Sequence, residues 1–503
     1  MVRQLPLFGD DQLVPYSSGQ AVVRDSFSHG NVADESARLA LEDRYQELFE
    51  ETDKFDRRTV SFQGNKGQLL HSWIKYREGF SAELVDRLLN EFGIKPGDTI
   101  LEPFNGSGTT LLVAKSRGIN AVGVEILPNC HLTWQAKSDV FDYDVAELRA
   151  IYHQIRACKP DKALRPFPHL IITQTAFPDA VENDLMYYTD WVEQSDFSSS
   201  AKVLLRLLLT SILEEVSYTR KDGQYLRWDC RAEKVQTRNL KREQNGKSSI
   251  KGMHKGDLPS VKEALLAAMF TVIEDIEIIQ QQQASGSNQQ LLQGSSLRIL
   301  PTLKPDQFAG VITSPPYCNR YDYTRTYALE IAYLGAGEEG IRKLRQEQLS
   351  CTVEHNSKID ELRSHYSSLG QSERFEGILQ TVLNNAVFRE INSALQIRWG
   401  RGEINNRGIL PMVEGYFVEL TFVFAEILRT TRSGAHIAFV NDNVRYGGEV
   451  IPVDLLTTSI AEDLGFVPEK VYVLPQRKGN SSQQMGRFGR EALRKSITIW
   501  KKP

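Results

Sequence analysis

Five consecutive residues, Thr313-Ser314-Pro315-Pro316-Tyr317, follow directly on the apolar run Phe308-Ala309-Gly310-Val311-Ile312. A short apolar run closed by two prolines reads as a buried strand that stops abruptly. Neither proline donates to a sheet ladder, and each restricts the residue before it. The stop holds one hydroxyl, two carbonyls and one phenol ring in fixed directions. That set suits a flat, amine-bearing ring: carbonyl and hydroxyl oxygens accept from the amine, and Tyr317 stacks on the ring face. An ordinary strand-to-loop stop is the competing reading.

A second stretch carries complementary chemistry. Asp98-Thr99-Ile100-Leu101-Glu102-Pro103-Phe104-Asn105-Gly106-Ser107-Gly108-Thr109-Thr110 reads as a strand, a glycine turn and the start of a helix. Ala121-Val122-Gly123-Val124-Glu125 is a further strand ending in a carboxylate. In a nucleotide-binding α/β unit the glycines let backbone approach the ligand, and the acid after the second strand takes ribose hydroxyls. The spacing departs from the dinucleotide fingerprint, and Thr109-Thr110 stands where a phosphate loop needs Lys-Ser/Thr. The implied ligand carries an adenosine but no pyrophosphate.

Together, Glu102 to Thr110 and Thr313 to Tyr317 resemble the amino-directed DNA methyltransferases, which modify cytosine N4 or adenine N6. His71-Ser72-Trp73-Ile74-Lys75-Tyr76-Arg77-Glu78-Gly79-Phe80-Ser81 is similar to the segment that precedes the family's glycine loop, and Gly294-Ser295-Ser296-Leu297 stands where Gly-Asp-Ser is usual. The resemblance covers roughly 60–145, 290–335 and 410–503. It implies an α/β fold, a Rossmann-like class I methyltransferase sheet, with a large inserted, mixed to mainly helical target-recognition region. It implies S-adenosylmethionine as cofactor and DNA with a flipped-out base as substrate. Glu102 then meets the methionine ammonium, the loop Pro103, Phe104, Asn105, Gly106, Gly108, Thr109 and Thr110 holds the amino-acid end, and Glu125 takes the ribose. Ser295 replaces the acid that usually meets the adenine amine, Phe80 lies in a segment that contacts cofactor, and Thr313 borders the same pocket. Ser314 and the Pro315 carbonyl accept the amine hydrogens, with Pro316 and Tyr317 completing the catalytic elbow. Serine at the head of that motif is typical of the cytosine-N4 subgroup, in a bacterial restriction-modification or phage-defence setting. Adenine N6, an RNA target, and a catalytically silent scaffold of a defence complex are the alternatives. Cys318 reads as incidental, because carbon-5 methylation uses a Pro-Cys motif without this elbow.

The elements that position these motifs follow from the rest of the chain. Its 503 residues suffice for two or three domains, and 41% apolar with 25% charged residues is ordinary for a globular protein. No stretch approaches a membrane span and the start lacks a signal-peptide core, so the expectation is a cytoplasmic protein. Five scattered cysteines show no metal spacing, and a net charge of −4 requires any DNA affinity to come from local basic surfaces. We divide the chain into a flexible tail (1–35), the first part of the core (36–148), an inserted candidate recognition domain (149–289), the catalytic part (290–334), a helical insertion (335–410) and the closing part (411–503).

Apolar spacing predicts helices over 35–51, 80–92 (Ser81 as N-cap, Gly93 as stop), 201–216, 258–279, 416–428 and 451–464. Residues 436–440, 471–474 and 496–500 read as strands, the last two as an antiparallel pair, and 280–293 as a Gln/Ser/Gly linker. Within 220–255 the run Arg220, Lys221, Arg227, Arg231, Lys234, Arg238, Lys241 and Arg242, interleaved with Tyr225 and Trp228, predicts phosphate contact, with a solvated loop as the bland alternative. Arg320 follows the catalytic elbow. Arg477, Lys478, Arg487, Arg490, Arg494 and Lys495 form a second candidate basic patch, and Arg401 and Arg407 a third. Gln4-Leu5-Pro6-Leu7-Phe8 resembles the peptide by which bacterial repair proteins dock on the replication sliding clamp; a tail packing on its own domain is the alternative.

Overall fold

The structure, a computed structural model, describes residues 21–222, 225–282, 286–475, 488–489 and 491–503. The clamp-like stretch Gln4 to Phe8 and the cations Arg477, Lys478, Arg487 and Arg490 lie outside the described residues. Twelve strands are described: β1 Phe49–Glu51, β2 Thr99–Glu102, β3 Asn120–Glu125, β4 Thr219–Asp222, β5 Tyr225–Trp228, β6 Gln289–Gln293, β7 Phe308–Thr313, β8 Thr431–Asp442, β9 Val444–Tyr446, β10 Glu449–Ile451, β11 Val467–Val473 and β12 Lys495–Lys501.

Eight of them form one sheet in the order β1-β11-β12-β8-β7-β2-β3-β6. Pairing is parallel from β6 through β8, and β12 alone runs against its neighbours β8 and β11. The order reverses beside β2, so β2 and β7 end side by side at the carboxyl rim, where doubly wound sheets take their ligands. Both central strands are buried on both faces, as near-continuous apolar runs require.

Helices cover both faces. Ala82–Glu91 follows the predicted cap, Ser81 Oγ accepting the Leu84 N–H at 3.3 Å, and it precedes Gly93 in the left-handed region at φ 63°. Ile409–Thr430, apolar almost all round, packs with Val453–Leu464 against the β7–β8 side, and the helices of 359–400 join that same core. A second core gathers Pro128–Ser138, Val145–Ala157, Asp179–Gln194, Ser199–Val216 and Val261–Gln280 with residues 327–341. The hairpin β4–β5 and the helix Glu233–Gln244 project from it.

Three expectations change. The described part of the expected flexible tail, 21–35, packs on the fold: Phe27 is buried and its carbonyl accepts the Val450 N–H at 2.8 Å. The helix expected over 35–51 ends at Arg44, because Phe49–Glu51 pairs with Val471, Tyr472 and Val473 as an edge strand. Within the expected linker, Gln289–Gln293 pairs with β3 as the opposite edge strand. Its glutamines disguised it, since only Leu291 and Leu292 are apolar in that run.

Candidate active site

Glu102 ends β2 and is almost fully buried. Its Oε1 accepts the Phe104 N–H at 3.1 Å and the Thr313 hydroxyl at 2.5 Å, and its Oε2 accepts the Thr110 hydroxyl at 2.9 Å. Burial pushes the carboxyl up to about 8, against the pull of those three donors. The carboxylate therefore ties the glycine loop to the last residue of β7, joining the two motifs across 211 residues by one hydrogen bond.

The loop itself is shaped by two left-handed glycines, Gly106 at φ 53° and Gly108 at φ 89°. A Cβ on Gly106 would meet the Tyr76 hydroxyl at 3.1 Å, and one on Gly108 would meet the Trp134 ring at 2.9 Å. Only glycine satisfies both the conformation and the space. Asn105 N–H donates to the Val124 carbonyl at 3.0 Å, which draws the loop over β3. Glu125, half-buried at the end of β3, accepts from Gly106 N–H at 2.7 Å and from Ile126 and Leu127 N–H at 2.8 Å each. Burial raises its carboxyl above the ordinary range despite these donors.

A cleft of about 820 Å³, open solvent at its mouth included, runs from this loop to the catalytic elbow. Phe80, Pro103, Phe104, Asn105, Gly106, Thr109, Glu125, Ser295, Ser314 and Pro316 line it. Glu102, Thr110 and Thr313 are buried and joined by hydrogen bonds, while Gly108 starts the helix Thr109–Ser116. Ser314 Oγ lies 3.2 Å from the Tyr317 hydroxyl and 3.3 Å from the Val440 carbonyl of β8, to which it donates. Pro315 is buried between them in sequence. Cys318 is fully buried and burial drives its thiol well above the ordinary range, so it presents no thiolate.

Several lining residues carried no role in the sequence reading. Tyr76 packs on Gly106 and stacks on Tyr327 with centroids 5.4 Å apart. Glu78 accepts from the Tyr321 and Tyr327 hydroxyls. Gln348 and Leu349 also line the cleft, as does Tyr323 from the polar and aromatic stretch 318–325 that the sequence places beside the elbow, and Ser296 donates to the Pro103 carbonyl. Tyr76 and Glu78 lie inside the segment before the glycine loop, so their position along the chain was a usable signal. Gln348 and Leu349 come from the helical insertion, where nothing local marked them.

The cations separate into two kinds. Lys221 is a correction: it is buried in an ion pair with Glu330, its Nζ 4.4 Å from the Tyr327 ring centre, and no duplex can reach it. Arg494 is likewise fully buried, paired with Glu42 and with Asp454 at 2.6 Å, and Lys495 is paired with Asp442 at 2.9 Å. Arg231 grips Asp229 through two contacts of 2.9 Å, Arg227 pairs with Asp222, and Arg220 is half-buried on β4. Arg320 is half-buried at φ 67°, its Nε without an acceptor among the described residues. The helix Glu233–Gln244, by contrast, buries none of its residues. Lys234, Arg238 and Lys241 share one of its faces around a shallow groove with Thr175, and Arg242 donates to the Ser248 carbonyl at 2.9 Å. Arg401 is exposed but paired with Glu403 at 3.1 Å, and Arg407 is exposed.

Residues 35–135 match the family model described as DNA methylase. Over 479 residues the chain is 56% identical to the Type II methyltransferase M.BsoBI of Geobacillus stearothermophilus, covering 95% of this chain and 94% of that protein. It is 39% identical over 476 residues to the Type II methyltransferase M.AvaI of a Nostoc species, covering 92% and 93% respectively. With M.MjaII of Methanocaldococcus jannaschii it shares 36% identity over 83 residues, 16% of this chain and 15% of that one.

Proposed function

We propose that this chain, which belongs to the amino-directed DNA methyltransferases and takes its methyl group from S-adenosylmethionine, methylates the exocyclic N4 of cytosine at a specific duplex site. The observation that carries the reading is the single cleft shared by Gly106, Glu125, Ser314 and Pro316. Its donor end fits the cofactor's parts: the half-buried Glu125 for ribose hydroxyls and a glycine backbone that leaves room beside it, with Glu102 buried next to that loop as the ammonium's partner. The bound cofactor supplies an electrophilic sulfonium methyl.

An exocyclic amine is a poor nucleophile because its lone pair is drawn into the ring. Oxygens that accept both its hydrogens favour a pyramidal nitrogen and offset the positive charge that grows there. In this chain the Ser314 hydroxyl and the Pro315 carbonyl take that role, and Tyr317 stacks on a base rotated out of the duplex. Thr313, bonded to Glu102, sets the position of the elbow relative to the donor end. The region 149–289 reads the target sequence, with Lys234, Arg238 and Lys241 of the exposed helix on the phosphates. The setting is a restriction-modification system in the cytoplasm.

Methylated duplex digested to nucleosides and analysed by mass spectrometry tests the reading. N4-methylcytosine is the expected product, and N6-methyladenine alone would overturn the cytosine assignment. Ser314→Ala is expected to lose methyl transfer by about a hundredfold or more while keeping cofactor affinity.

A further inference from the structure

The residue that begins β12, Lys495, was a surface cation in sequence terms, one of a basic run. The fold removes it from the surface. Because β12 runs antiparallel to β8, its first residue comes to the carboxyl rim where β7 and β8 end. Lys495 sits directly across from Asp442, the last residue of β8, and their side chains meet at 2.9 Å. Its side chain is 16% exposed, a burial that lysine accepts only with a partner. Its Nζ is 5.5 Å from the Tyr317 ring centre, which sets the ammonium charge beside the phenol. The mount is rigid: the preceding Arg494 is locked among Glu42, Asp454 and the Val23 carbonyl, and the following Ser496 donates to Asp454 at 3.1 Å.

We propose that Lys495 is a positioning residue for the methyl transfer, acting through Tyr317 to fix which way the Ser314 hydroxyl points. This rests on the reading of Ser314 as an acceptor of the target amine. A positive charge beside the phenol favours the orientation in which its oxygen faces Lys495 and its hydrogen points away. Its other lone pair faces Ser314 at 3.2 Å, which makes Ser314 the donor in that contact. The alternative acceptor for the Ser314 hydrogen, the Val440 carbonyl at 3.3 Å, also lies inside the protein. Either way the serine's lone pairs are left for the cleft, where an amine hydrogen needs them. Without the ammonium, Tyr317 is free to donate to Ser314, and while the serine hydrogen goes to the Val440 carbonyl that donation takes up a serine lone pair otherwise left for the amine. Asp442 serves as the counter-ion that keeps a charged lysine tolerable beside the phenol; no covalent step is assigned to either.

The test uses the full chain, with turnover, KM for cofactor and duplex, and thermal unfolding measured for each variant. Lys495→Met is expected to lower kcat roughly ten- to hundredfold, the effect of one misdirected hydrogen bond in the transition state, with both KM values within about threefold. Lys495→Arg, which keeps a charged donor, is expected to restore most of that loss. In a Tyr317→Phe background, where no phenol hydroxyl remains to orient, Lys495→Met is expected to add nothing. Lys495→Gln replaces the Met variant should that one fail to fold. Full kcat in Lys495→Met, a loss confined to the KM for duplex with a flatter salt dependence, or additivity with Tyr317→Phe would each overturn the proposal, the second by making Lys495 a phosphate contact. Activity retained in Ser314→Ala would instead sink the underlying reading, whatever Lys495 does.

Discussion

With Glu102 as the ammonium's partner, as proposed above, cofactor binding is expected to be proton-coupled, and the coupling has a predictable size. Burial holds its carboxyl at about 8 against an ordinary 4.5, so at pH 7 the empty site carries about 0.9 of a proton on that side chain. A neutral acid cannot pair with the cofactor's ammonium. Binding therefore pulls the carboxyl down and releases the proton, and by linkage the affinity rises with pH by about one logarithmic unit per pH unit below 8. Titration calorimetry between pH 6 and 7.5, in buffers of different ionisation enthalpy, reads the released proton directly. That window stays below the ordinary α-amino range of about 7.7–8.0, where the ligand itself starts to titrate. Glu102→Gln is expected to abolish both the release and the pH slope. Release below about 0.2 proton in the wild type at pH 7, or an unchanged slope in the Gln variant, would refute Glu102 as the ammonium's partner.

The same shift fixes a stability trend for the unliganded chain. Between 4.5 and 8 the folded state holds a proton on Glu102 that the unfolded chain has lost, so stability falls as pH rises through that window. The limit above pH 8 is 3.5 units at 1.36 kcal/mol each, roughly 5 kcal/mol. Saturating cofactor is expected to remove most of that slope in a urea series, since its ammonium compensates the buried charge.

Two more outcomes follow from single side chains. Gly108→Ala forces a left-handed residue against the Trp134 ring, and is expected to cost about 1–3 kcal/mol in urea unfolding together with a loss of cofactor affinity; Gly93→Ala, with open space around it, measures the conformational part alone. Lys221→Met strands Glu330 and is expected to destabilise by about 3–5 kcal/mol with the salt dependence of duplex binding unchanged, whereas Arg238→Ala and Lys241→Ala each flatten that dependence by about 0.9 and leave stability within about 0.5 kcal/mol.

What the chain disclosed in advance was local: strands with strong apolar runs, helices with caps, and a glycine turn whose conformation no other residue supplies. The sheet's centre was legible for that reason, and so was the meeting of β2 and β7. Its edges were not, because Phe49–Glu51 and Gln289–Gln293 are strands only by virtue of their neighbours. Charge was the least legible property. Arg220 to Arg242 reads as one basic run, yet Lys221 faces inward on a four-residue strand while Lys234 and Arg238 stand on a helix with no buried residue. Alternation along a strand separates residues that composition treats alike. Arg494 and Lys495 were misjudged for the same reason: their partners Glu42, Asp454 and Asp442 are distant in sequence, apart from the short reach of the closing strands.

The bond from Thr313 to Glu102 has a consequence for how the two halves of the site communicate. Thr313 is the residue immediately before Ser314, and its hydroxyl shares Oε1 of Glu102 with the Phe104 N–H. When Glu102 is neutral, its oxygens are weaker acceptors, and the hold on both the glycine loop and the elbow loosens together. When an ammonium draws the carboxyl into its charged form, both bonds become charge-assisted and shorten. On the proposed reading, cofactor binding is expected to tighten the strand end that presents the serine, through a contact that neither motif contains alone. The demethylated product carries the same ammonium, so the tightening is expected to follow occupancy of the amino-acid end and to be equal with either form bound.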